Sequence, residues 1–161
     1  MWFFMMTCYI LSVITSFFLF VAFLQGFFHF YVFKANEVAF MILTSIIYLL
    51  TETLVIFFFV GTGVSIREYS QEHQLKPDFQ QKSLIIKKRV YPPLLLNMFL
   101  MIILFVLIGA VDIGKMPTWV YQIYFIFCLF HFCHTKIVQH WAFKTNTDNI
   151  LSMVGIQRKQ V

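Results

Sequence analysis

Charge is the scarcest commodity in this 161-residue chain: Asp, Glu, Lys and Arg together make up 12% of it. An average soluble domain carries about twice that share. Glycine, proline and cysteine are also few, at 6, 4 and 3 residues. The shortage of glycine and proline excludes a low-complexity or collagen-like chain, and three cysteines do not make a disulfide framework. No P-loop, dinucleotide fingerprint or nucleophile elbow occurs, so the common soluble-enzyme constellations are missing as well. What fills the space instead is apolar: 60% of the residues are hydrophobic and 20% aromatic, with 22 Phe and a mean hydropathy of +0.81. Disordered chains are polar and poor in aromatics, so disorder is excluded. A soluble fold of this length has too little interior to hide so much apolar surface, which leaves an integral membrane protein.

Four segments are long enough to cross a bilayer as helices, which takes about 20 apolar residues. They cover 3–30, 38–66, 92–111 and 118–141. Their apolar runs are continuous rather than alternating, which favours helices over a membrane barrel. The first has no basic stretch ahead of it and is too long for a cleaved signal, so it reads as a retained helix. The expected fold is all-α, a single transmembrane domain in the form of an up-down four-helix bundle. A cytoplasmic loop at 67–91 and a cytoplasmic tail at 142–161 complete it. In the loop, helix two runs on for a turn or two until Pro77, and Pro92-Pro93 opens helix three, where missing amide donors cost least.

Lys and Arg divide unevenly. The middle loop holds Arg67, Lys76, Lys82, Lys87, Lys88 and Arg89, and the C-terminal end Lys136, Lys144, Arg158 and Lys159. Only Lys34 and Lys115 fall on the other side. The positive-inside rule then places both termini in the cytoplasm. The net charge of +5 is explained by topology and by attraction to anionic lipid headgroups, without nucleic acid. A bacterial inner membrane is expected in preference to an organellar one. The outer loops, with the pairs Lys34/Glu37 and Asp112/Lys115, are too small to form a receptor or substrate domain.

Ionisable residues inside spans are costly and mark function by default. Glu52 is at the middle of helix two. Counting about 1.5 Å per residue, His131 falls level with it, His134 one turn deeper, and Asn97 near His134. Helix four carries Tyr121, Tyr124, Cys128, His131, Thr135 and Gln139 on one face, and helix two adds Ser45 and Tyr48. An intramembrane polar cluster of Glu52, Asn97, His131, His134, Tyr48 and Tyr124 is therefore expected, with Glu52 bonded to His131. The bland explanation is helix–helix adhesion, which small and hydroxylated residues commonly mediate, Gly61-Thr62-Gly63 among them.

Four kinds of chemistry compete with that explanation. A haem b needs two histidines at one depth; His131 and His134 are the candidate cofactor residues, but His29 and His140 lie at other depths, so a haem would have to be shared with a partner. Glu52, Cys128, His131 and His134 offer metal ligands of borderline softness. A midplane Glu beside a His suits proton or ion handling. Quinone or lipid binding at the aromatic surfaces is the fourth. None is complete in one chain and no cofactor is demanded, so catalysis by the chain alone is not expected.

Three stretches carry a resemblance: Phe58-Phe59-Val60-Gly61-Thr62-Gly63 leading into Arg67-Glu68, then Lys88-Arg89-Val90-Tyr91-Pro92-Pro93, and Gly109-Ala110-Val111-Asp112 with Asn146-Thr147. They resemble a group of small, four-span bacterial membrane proteins of unknown function. The resemblance implies the four-helix architecture and a bacterial origin, and it brings no activity or ligand. The functional expectation is an accessory subunit of a larger membrane complex, of a respiratory or other electron-transfer kind, with lipid and other membrane subunits or further copies of itself as partners. The alternatives are a redox protein binding haem or metal and an oligomeric small transporter or channel.

Overall fold

The computed structural model describes residues 2–28, 30–32, 34–75 and 77–155. They form four helices: α1 (Trp2–Phe28), α2 (Glu37–Glu72), α3 (Asp78–Asp112) and α4 (Thr118–Met153). Three of them, α1, α2 and α3, are long and apolar enough to cross a membrane. α4 is not among these three. It is as long as α2, but its middle carries His131, His134, Lys136, Gln139 and His140.

The helix ends have local causes. Asn36 caps α2, its side chain accepting from the Ala39 amide at 2.9 Å, and Glu37 follows in the first turn, where a negative charge favours the helix dipole. α2 stops where Gln74 takes a positive φ of 48° and the Leu75 amide reaches back to the Ser70 carbonyl. Pro77 then leads directly into α3. Gly114 (φ 69°) and Gly155 (φ 81°) end α3 and α4 in the left-handed conformation that glycine adopts most cheaply.

Two expectations about boundaries are corrected here. α2 runs on to Glu72, as expected of the first part of 67–91, but the rest of that segment is not a loop: α3 begins at Asp78, so the connection is a short turn between long helices. Pro92 and Pro93 lie inside α3 rather than at its start. Each proline removes an intrahelical hydrogen bond, but the buried stripe passes through them in step, at Ser83, Ile86, Val90, Leu94, Asn97, Met101, Leu104 and Ile108. Packing on both sides of the pair carries the helix across it. The tail likewise continues α4 to Met153, with Ala142, Phe143, Asn146, Thr147 and Asn149 buried.

The helices pack α1 on α2, α2 on α3, and α3 on α4, while α1 and α4 touch only sparingly. Side-chain pairs fix the register. Tyr9 meets His140, Ser12 meets Lys136, and Gln122 reaches the carbonyl of Gly26. On the far side, Tyr124 reaches Leu100, His131 reaches Asn97, and Asn149 reaches Phe79.

Two apolar clusters stack along the bundle. One includes Leu19, Phe40, Tyr48, Leu104 and Phe125. The other includes Cys8, Val55, Phe59, Leu94 and Phe143. Between them lies a polar layer to which every helix contributes: Thr15, Thr51, Glu52, Asn97, Thr135 and Gln139 are all buried. The perimeter is the reverse, with Phe17, Ile46, Phe57, Phe99, Phe130 and Ile137 each more than half exposed. A water-soluble bundle hides its apolar residues and displays its polar ones; this chain does the opposite across its middle.

Candidate functional site: the polar layer

Glu52 projects from the middle of α2 and is wholly buried. Its Oε1 accepts from the Lys136 ammonium of α4 at 2.7 Å. Its Oε2 accepts from the Gln139 amide one turn along the same helix. Lys136 spends its other two protons on Gln139 Oε1 at 3.1 Å and Ser12 Oγ of α1 at 3.2 Å. An ammonium has three donors, so all are used, and the ion also sits 5.1 Å from the Phe132 ring centre. Gln139 is oriented by its neighbours: its carbonyl must face the cation and its amide the carboxylate. The cluster is closed and, with Glu52 and Lys136 both ionised, electrically neutral.

The expected partnership of Glu52 with His131 is therefore corrected. The hydrogen bonds of Glu52 go to Lys136 and Gln139. A helix ending near residue 141 puts His131 level with Glu52, whereas α4 runs to Met153 and its middle falls at Thr135 and Lys136. Lys136 thus belongs to the middle of the bundle and not, as its place near the end of 118–141 suggested, to the charged end.

The remaining residues form two smaller groups in the layer. Thr51 donates to the Ile47 carbonyl at 2.8 Å, so Thr15 must be the donor in the 2.7 Å bond between the two hydroxyls. His131 places Nδ1 3.2 Å from Asn97 Oδ1. With the amide in this orientation its oxygen accepts and Nδ1 donates. The Tyr48 hydroxyl and Asn97 Nδ2 are buried without a hydrogen-bond partner. Tyr124 and Cys128 both point to the Leu100 carbonyl, at 3.2 and 3.8 Å.

The candidate metal set does not come together. Glu52 is held by Lys136, Cys128 faces the α3 backbone, and His134 is exposed, its ring centre 6.2 Å from that of His131. Among the described residues no group of three or more His, Cys, Asp and Glu is placed to hold a metal ion. Residues six apart on a helix diverge in direction, which is why Cys128 and His134 cannot share an ion. His29, the one histidine assigned to helix one, lies outside the described residues. His140 bonds the Tyr9 hydroxyl through Nδ1 at 3.0 Å.

That last contact borders a cleft of about 190 Å³ between α1 and α4. Tyr9, Ser12, Ser16 and His140 line it, and Lys136 with Gln139 form its floor. The buried charge of the bundle is thus approached from the side, between α1 and α4, which touch only sparingly. Sequence reasoning placed Ser12 and Thr15 on a polar stripe of helix one and missed Thr51 and Lys136 as members of the layer. A signal for Lys136 existed: it and Glu52 are the lone base and lone acid within their apolar segments, and unlike charges in a low-dielectric interior seek each other.

Compared with known proteins, this chain matches no family, and no similar curated protein or solved structure is found.

Proposed function

We propose that the chain is a multi-pass integral membrane protein that crosses the bilayer with all four helices, termini inside, and serves as a small accessory subunit beside larger membrane partners. The observation that carries this reading is the inversion of polarity. The side chains that meet the surroundings at mid-height are Phe, Ile, Leu and Val, while Glu52, Lys136, Gln139 and the threonines satisfy one another inside. A hydrocarbon solvent demands that arrangement. α4 joins the spanning set because it lies along α3 from Tyr124 to Asn149 and its one mid-height cation is neutralised by Glu52. Loops this short leave the helix faces as the surface offered to a partner.

A native gel after mild detergent extraction tests the assignment. The protein is expected to migrate with larger membrane subunits, and a visible spectrum of that band would show whether the assembly holds a haem or another coloured redox centre. Migration as a lone monomer would overturn the subunit reading.

One observation favours a second reading, proton or ion handling. The cleft between α1 and α4 is lined by His140, Tyr9 and Lys136, and Lys136 in turn holds Glu52. In reconstituted vesicles Glu52→Gln would then abolish pH-dependent flux; equal flux from both proteins would remove the idea.

A further inference from the structure

A second cavity lies away from the polar layer, where α2 and α3 emerge toward the basic end of the bundle. It measures about 410 Å³ and is lined by Gly63, Arg67, Glu68, Gln80, Ser83 and Lys87. Arg67 and Glu68 come from the last turns of α2, and Gln80, Ser83 and Lys87 from the first turns of α3. The turns bearing Gln80, Ser83 and Lys87 are ones that the sequence alone left outside a helix, so the cavity exists only because α3 starts as early as Asp78.

Its electrostatics are unbalanced. Among the described residues neither Arg67 nor Lys87 takes part in an ion pair. Glu68 is the one carboxylate on the lining, and it adjoins Arg67 in the chain, where neighbours on a helix point apart. Ser83 is buried, at 5% exposure, with no hydrogen bond described for its hydroxyl. Lys87 does not reach straight out to solvent. It lies across Gly63, where an added Cβ would run into its Nζ and Cε and come within 3.3 Å of Ser83 Oγ. Glycine at 63 is what lets the ammonium settle beside the serine. Partial burial lowers the Lys87 pKa from its ordinary value. At the mouth, Val64 and Leu84 are half exposed, an apolar border beside a cationic floor.

We propose that this cavity binds a phosphate group, of the kind an anionic phospholipid headgroup presents, with Arg67, Lys87 and Ser83 as its donors. Arginine grips phosphate oxygens with a planar fork, lysine supplies a point charge, and a hydroxyl completes the set. Basic pockets between membrane helices on the cytoplasmic side hold anionic headgroups in this way. Val64 and Leu84 are placed to meet the first methylenes of an acyl chain. The site is independent of the subunit reading, and its test does not need a partner protein.

The full-length protein in detergent is titrated with phosphatidylglycerol and with phosphatidylcholine and followed by native mass spectrometry. Phosphatidylglycerol should be retained in preference. The pair Arg67→Gln with Lys87→Gln should weaken it by about tenfold or more, the equivalent of one good charge-assisted contact. Lys82→Gln with Lys88→Gln removes the same charge from residues off the lining and should leave the preference intact. Gly63→Ala, which keeps every charge but displaces Lys87, should also weaken retention. Inorganic phosphate is the second probe. If it displaces the lipid, phosphate alone is recognised; if it does not, while the cavity pair still loses the lipid, the acyl chain is part of the ligand. Equal losses from the two double variants, or no preference for the anionic lipid in the native protein, would overturn the proposal.

Discussion

Glu52 and Lys136 hold opposite charges in a place where neither would survive alone. Taking an ion out of water costs several kcal/mol after relaxation, and attraction to a well-placed partner offsets that cost. The two removals are therefore unequal to the double replacement. Glu52→Ala leaves the ammonium with Gln139 and Ser12 as its only acceptors, and a loss of about 3–5 kcal/mol is expected. Glu52→Leu combined with Lys136→Met keeps volume without charge, and its stability should return to within roughly 1–2 kcal/mol of the native protein. Gln139→Ala strips one carboxylate oxygen of its donor and should cost about 1–3 kcal/mol. Denaturation in mixed detergent micelles, followed by circular dichroism, reads all three. A double variant as unstable as Glu52→Ala would show that the pair is not the unit drawn from its hydrogen bonds.

At the scale of the helix, the glycines separate what is needed from what is tolerated. Gly61-Thr62-Gly63 reads in sequence as one small-residue patch for close approach, but the structure splits it. Gly61 is exposed with nothing within 4 Å of an added Cβ, whereas Gly63 lies under Lys87. Gly61→Ala should raise stability by about 0.5–1 kcal/mol through helix propensity alone. Gly26 is the opposite case. A Cβ there would come within 3.1 Å of both Glu37 Oε1 and the Tyr121 ring, which is itself buried. Gly26→Ala should destabilise by about 1–3 kcal/mol, as overpacked sites do. The same denaturation assay separates the signs. Elements also show where local rules gave way. Four helices were legible because long apolar runs admit little else. The continuation of α3 through Pro92 and Pro93 was not, since it rests on Val90 and Leu94 packing on either side of the pair, and no local rule contains that. The polar layer was half legible for a related reason. Spacing shows that Thr135 and Gln139 share a face with His131, but the depth of that face depends on where α4 ends, and the polar residues after Trp141 disguise the last turns.

For the whole molecule, the deciding quantity is the distribution of charge between the two ends. With Lys136 moved to the middle layer, the described basic residues at one end are Arg67, Lys82, Lys87, Lys88, Arg89 and Lys144, against Lys34 and Lys115 at the other. The asymmetry survives the correction, so the turn between α2 and α3 and the end of α4 should face the cytoplasm. Cysteine accessibility tests this in cells. Cys8, Cys128 and Cys133 are first replaced, the last being exposed, and single cysteines are placed at Gln71, Lys115 and Ser152, each of them exposed. A membrane-impermeant maleimide should label position 115 in intact cells and positions 71 and 152 only after permeabilisation. The site at 152 carries the most information, because α4 is the helix whose composition alone does not qualify it as a span. If 152 labels together with 115, α4 does not cross, and Lys136 would have to meet Glu52 without α4 spanning the bilayer. If 152 labels together with 71, a helix with an ammonium at its centre does cross, and the carboxylate of α2 is what makes the crossing affordable.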